Sequence, residues 1–105
     1  MKKSLTKFAK QEINIIHGYS RLYNKSKRKK HAFILLKLMD EHIKEIDQRW
    51  KKGDKHYLIE TGDLLILCFE LIKEARMPID AVLDKCYKRY RKKLPQLIKE
   101  TRKKL

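Results

Sequence analysis

"LIETGDLLILCFEL", residues 58–71, sets Glu60 and Asp63 three positions apart at the entrance to the most apolar run of the chain. On a helix that spacing puts both carboxylates on one face. From Leu64 to Phe69 the run is apolar around its whole circumference, the mark of a helix in the middle of a bundle. Acids at the mouth of a core must be neutralised by a cation or a proton, so the reading turns on what stands opposite them.

Working outward, helical spacing recurs along the chain and no stretch alternates as a half-buried strand would. Ser4 is placed to cap a first helix carrying Leu5, Phe8, Ala9, Ile13, Ile16, Tyr19 and Tyr23 at steps of three and four. "NKSKRKKH" interrupts it with a basic connection. A second helix over about 29–52 carries Ala32, Leu35, Leu36, Met39, Ile43, Ile46 and Trp50 as its core stripe, and "KKGDK" ends it at Gly53. The third helix starts near His56 and stops before Pro78. Asp80 is placed to cap a fourth, lined by Ile79, Leu83, Cys86, Tyr87, Tyr90 and Leu94, which Pro95 ends or kinks. The tail from 95 to 105 forms a short helix or frays. The expected architecture is a single all-α domain over 1–105, a four- to five-helix bundle built on a central antiparallel hairpin.

The hairpin supplies the missing neighbours. Short connections make successive helices antiparallel, so with the turn at Lys52 and Gly53, Glu45 faces Glu60 and His42 faces Asp63. Two local pairs become one cluster of three carboxylates and an imidazole. Hard divalent ions take such oxygen ligands and are commonly shared with substrate phosphates. The alternative is a solvated acidic face that offsets Lys44, Lys51, Lys52 and Lys55.

Composition bounds the partners. Among 105 residues, 28 Lys and Arg stand against 13 acids, a formal charge of +15 that attracts polyanions. Cys68 and Cys86 lie in apolar helical patterns without a CxxC pair, which reads as reduced thiols. No run approaches the roughly 18 apolar residues that span a bilayer, and "MKKSLTKFAK" lacks a continuous apolar segment. The expectation is a cytoplasmic protein with no membrane partner.

"EHIKEI" (41–46), followed after a basic turn by "IETGDLLILCFELI" (59–72), resembles the MazG-like branch of the all-α NTP pyrophosphohydrolases. In that family a helix reading roughly E-E-I-G-E-L precedes one reading E-E-x-G-D-[VL]-L. Glu60, Gly62 and Asp63 match the second motif, and "MPIDAVLDKCYKRYRKK" (77–93) looks like the entry to the family's last helix; the resemblance covers about 32–93. It implies that Glu45, Glu60 and Asp63 bind Mg²⁺, with Mn²⁺ as a substitute, and that an NTP or dNTP is cleaved to the monophosphate and pyrophosphate. It also implies a homo-oligomer, dimer or tetramer. The first motif is degenerate: aligning Met39, Ile43 and Ile46 with the family's core puts His42 where its first Glu belongs, which lowers the site's charge and favours a nitrogen-tolerant ion. That leaves two descendants open, an enzyme and a protein with weakened or lost activity. Glu41 is the general-base candidate beside His42, and Lys85, Lys88, Arg89 and Arg91 are candidates for phosphate binding. The rival reading is a basic helical protein that binds nucleic acid through "KSKRKK", "KRYRKK" and "TRKKL", with Tyr87 and Tyr90 interleaved.

Overall fold

The computed structural model describes residues 6–26 and 30–104. Four helices run in chain order, α1 (Lys7–Ser26), α2 (His31–Lys51), α3 (Tyr57–Glu74) and α4 (Ile79–Lys104), with no strand among the described residues. Ser4, expected to cap α1, lies outside them; Thr6 does that work, its Oγ1 accepting the Ala9 N–H at 3.1 Å.

The hairpin of α2 and α3 is the frame of the molecule, and its turn is built by backbone geometry. Gly53 takes φ +73°, its N–H bonds the Trp50 carbonyl at 3.1 Å, and the Asp54 N–H reaches back to Arg49 at 2.9 Å. These two bonds complete a Schellman motif, in which a left-handed residue satisfies carbonyls that the helix end leaves open. Asp54 then starts the next segment: Oδ1 accepts the His56 N–H at 2.9 Å and Oδ2 pairs with Arg49 at 2.9 Å. That backbone bond, more than the guanidinium, holds the Asp54 carboxyl below the usual range. The end of α3 repeats the motif with Arg76 at φ 58°, bonded to Lys73 at 2.9 Å, and Met77 bonded to Ile72 at 3.4 Å.

The fully covered apolar core is small: Ile13 of α1, Leu35 of α2, and Leu67 and Phe69 of α3. Much of the stripe expected to pack inside is exposed within one chain. Leu36, Ile43 and Trp50 of α2 are each more than half exposed, as are Tyr19 and Tyr23 of α1, and Leu58, Ile59 and Leu65 of α3. The all-apolar circumference of α3 is therefore only partly covered. The reason is α4, whose backbone approaches α3 alone, leaving one side of the hairpin bare. The chain spans 56 × 40 × 25 Å with a radius of gyration of 17.1 Å, against about 13 Å for a compact chain of this length.

Two expectations for α4 change. The helix does not end at Pro95 but runs through it to Lys104. Residues 91–95 are solvent-exposed, so water can take the carbonyl bond that proline cannot supply. The Pro78 carbonyl accepts the first bond of α4, from Val82, at 3.3 Å. Asp80 lies in the first turn, where its charge suits the helix dipole, and pairs with Lys10 of α1.

Candidate metal centres

The geometry of the hairpin brings four side chains to the open end of the α2–α3 interface. The Gly53 turn fixes the register, so His42 and Glu45, one turn apart on α2, meet Glu60 and Asp63, one turn apart on α3. His42 Nε2 lies 3.7 Å from Glu60 Oε2 and 3.9 Å from Asp63 Oδ2. His42 Nδ1 hydrogen-bonds the Leu38 carbonyl at 2.8 Å. With the Nδ1 proton donated there, Nε2 is turned toward the two acids, the arrangement by which outer partners orient metal-binding histidines.

Glu45 lies beside Glu60, and its carboxyl is the largest influence on Glu60. Together with burial, it raises the Glu60 carboxyl above the ordinary glutamate range, against His42 and Arg49, which act the other way. Two carboxylates in such contact hold a proton unless a cation replaces it. His56 stands on the far side of Glu60, Nε2 to Oε1 at 3.6 Å. Asp63 is half-exposed, so this end of the cluster opens to solvent. The donor set fits a hard divalent ion that retains water, with one nitrogen that suits Mn²⁺ better than Mg²⁺.

Glu41 does not join these four. It opens onto an adjoining groove of about 500 Å³, with Tyr23, Asn24, Lys30, Phe33 and Lys37 among its walls. Lys85, Lys88, Arg89 and Arg91 are also apart: all are exposed on α4, and α2, which carries His42 and Glu45, makes no backbone contact with α4. Lys88 pairs locally with Asp84 at 3.1 Å. Cys68 and Cys86 are free thiols, and burial pushes the Cys68 thiol up.

A second group of titratable side chains lies toward the other end of α3. His17 of α1 approaches Glu70 (Nδ1 to Oε1, 3.8 Å) and Glu74 (Nε2 to Oε2, 3.5 Å), and His31 Nε2 lies 3.9 Å from Glu70 Oε1. The two imidazoles meet edge to face with centroids 5.4 Å apart. Arg21 holds Glu74 Oε1 at 2.8 Å, and Asn24 Nδ2 donates to His31 Nδ1 at 2.6 Å. Burial lowers the His31 pKa, outweighing the opposing pull of Glu74 and Glu70. In the sequence His17 and His31 stand fourteen positions apart with a helix break between them, and no local spacing joins them. Only the docking of α1 against the hairpin brings them together. The Glu70 and Glu74 pair, at i and i+4 on the apolar helix, was the one local signal.

Comparison with protein-family models, curated proteins and solved structures gives no match. No helix among the described residues is long and apolar enough to cross a membrane.

Proposed function

We propose that this chain is a nucleoside triphosphate pyrophosphohydrolase of the MazG-like kind, cleaving an NTP or dNTP to the monophosphate and pyrophosphate with Mg²⁺ or Mn²⁺. The observation that carries the reading is the convergence of His42 Nε2 on Glu60 Oε2 at 3.7 Å and on Asp63 Oδ2 at 3.9 Å, with Glu45 beside Glu60. Three acids and an imidazole converge there, at a surface that substrate can reach. A bound divalent ion would supply neutralisation of phosphate charge and an acidified water. Glu45, Glu60 and Asp63 would hold it through oxygen, and His42 through Nε2 or through a water. Glu60, whose carboxyl is raised above the ordinary glutamate range, must lose its proton on loading, so apparent metal affinity rises with pH.

The groove bounded by Tyr23, Phe33 and Glu41 adjoins His42 along α2, and it offers aromatic faces to a base and Lys30 and Lys37 to phosphate. The bare apolar surfaces of α2 and α3 support a homo-oligomer, since a face of that extent marks an interaction site.

The test is pyrophosphate release from a panel of NTPs and dNTPs with Mg²⁺ or Mn²⁺. Turnover is expected to fall at least about 100-fold in Glu60→Gln and in Asp63→Asn, which remove charged ligands of the metal. The absence of cleavage for every nucleotide and both metals would overturn the activity. A second reading has its own observation: α4 stands away from the hairpin with Lys85, Lys88, Arg89 and Arg91 exposed and Tyr87 and Tyr90 between them. That is a phosphate-binding surface with stacking platforms. Under it, duplex or single-stranded nucleic acid binds with a steep salt dependence that survives both acid substitutions.

A further inference from the structure

The buried group at the far end of α3 has polar atoms with nothing to satisfy them. His31 and Glu70 side chains are 3% and 4% exposed. His17 Nδ1, His31 Nε2 and Glu70 Oε1 are all buried without a hydrogen-bond partner. A buried carboxylate oxygen and two buried ring nitrogens in one place are costly. We propose that His17, His31, Glu70 and Glu74 form a second binding site, largely enclosed, for a divalent transition-metal ion, Zn²⁺ foremost, which clamps α1 onto the α2–α3 hairpin.

Spacing is the first argument. Two ligands about 2.1 Å from a tetrahedral ion lie roughly 3.4 Å apart. One ligand atom each from His17, His31 and Glu74 lie within 4.8 Å of one another; His17 Nε2 is 3.5 Å from Glu74 Oε2 and His31 Nε2 is 3.9 Å from Glu70 Oε1, while the other ring nitrogen of His17, Nδ1, is 3.8 Å from Glu70 Oε1. The longer of these are too long for hydrogen bonds, which fall at about 2.7–3.2 Å, yet a few tenths of an ångström from a coordination sphere. A directly bonded polar cluster would have closed to the shorter range.

Donor chemistry is the second. Two imidazoles with carboxylates suit Zn²⁺ and its first-row neighbours, while Mg²⁺ prefers oxygen and keeps its waters. Charge agrees: the two carboxylates are opposed by the single guanidinium of Arg21, which engages Glu74 Oε1 and leaves Oε2 facing His17. Asn24 completes the arrangement. It is 3% exposed and bonded to His31 Nδ1. A half-turn of its amide presents oxygen instead of NH₂, moves the ring proton to Nδ1, and frees the Nε2 lone pair toward Glu70. Four protein ligands and burial make the site structural. Its place also matters, because among the described residues Ile13 is the buried apolar side chain of α1, and Lys10 with Asp80 and this cluster add polar ties.

The test uses the full chain, stripped with a chelator and titrated with Co²⁺ in a large excess of Mg²⁺ that occupies the open site. One Co²⁺ per chain should give the intense visible absorption of a four-coordinate ion, displaced by Zn²⁺, and Zn²⁺ should raise the melting temperature by mass action. Glu70→Gln and His31→Ala should abolish the absorption. Asn24→Leu should weaken Co²⁺ binding about 10- to 100-fold, as loss of an outer partner does. The Glu60→Gln/Asp63→Asn double variant should keep both the absorption and the Zn²⁺-dependent melting shift. Absence of the band from the wild type overturns the proposal, as does a band lost in the double variant. These two measurements decide even if His31→Ala fails to fold, and neither depends on nucleotide cleavage.

Discussion

The two ends of α3 carry the same functional groups in opposite surroundings. At the N-terminal end His42, 22% exposed, meets Glu60 beside a half-exposed Asp63; toward the C-terminal end His31 and Glu70 are almost wholly enclosed. Solvent decides what each can do. Water at the open cluster would let an ion bound there keep its waters and would leave it open to an anionic ligand. Enclosure at the other forbids an unpaired charge and leaves only a proton or a captured ion to balance it. The difference arises from which helix covers α3: α1 lies over one end, and among the described residues nothing comparable covers the other.

The largest test of that contrast strikes between the clusters. Leu35, fully buried one turn beyond His31, carries the core that both ends share, and Leu35→Ala should cost roughly 2–5 kcal/mol in urea denaturation. Next, His17→Ala should destabilise the chain by about 1–3 kcal/mol by stranding Glu70 and Glu74. At the open end, His42→Ala should cost under about 1 kcal/mol while lowering metal affinity. Equal costs at the two ends would erase the distinction.

The turns that flank α3 offer a subtler comparison. Gly53 takes its left-handed conformation freely, whereas Arg76 carries a side chain into the same region. Arg76→Gly should therefore stabilise the fold by about 1 kcal/mol, seen as a higher denaturation midpoint with unchanged slope. The smallest effect is at Asp54. Its folded pKa lies below its ordinary 3.8, so its contribution is complete above that value and fades as pH falls through the folded pKa. Asp54→Asn should lower the melting temperature at pH 7 and have little effect near pH 2.

How much of this was legible in the sequence follows from distance along the chain. The four-helix, all-α layout and the Gly53 turn follow from local periodicity and one punctuating residue. The juxtaposition of Glu45 with Glu60, and of His42 with Asp63, then needs only antiparallel register. What depends on long-range docking was not legible. The departure of α4 exposes the α2 stripe at Leu36, Ile43 and Trp50 and keeps Lys85 to Arg91 away from the hairpin cluster. Likewise His17 and His31 acquire meaning only once α1 has chosen its face. Of the two outcomes expected at Pro95, an end to the helix is excluded, since α4 continues to Lys104 with residues 91–95 exposed to water.

The turn at Lys52, Gly53 and Asp54 also sets an order of events during folding. Because it joins α2 to α3 through contacts close in sequence, the hairpin has low contact order and should form on the fast time scale of helical proteins. Docking of α1 closes a longer loop and comes later. Glu70 and Glu74 are then presented on a preformed surface, waiting for His17 to arrive, so an ion taken up there would slow the release of α1 far more than it would speed the collapse of the hairpin.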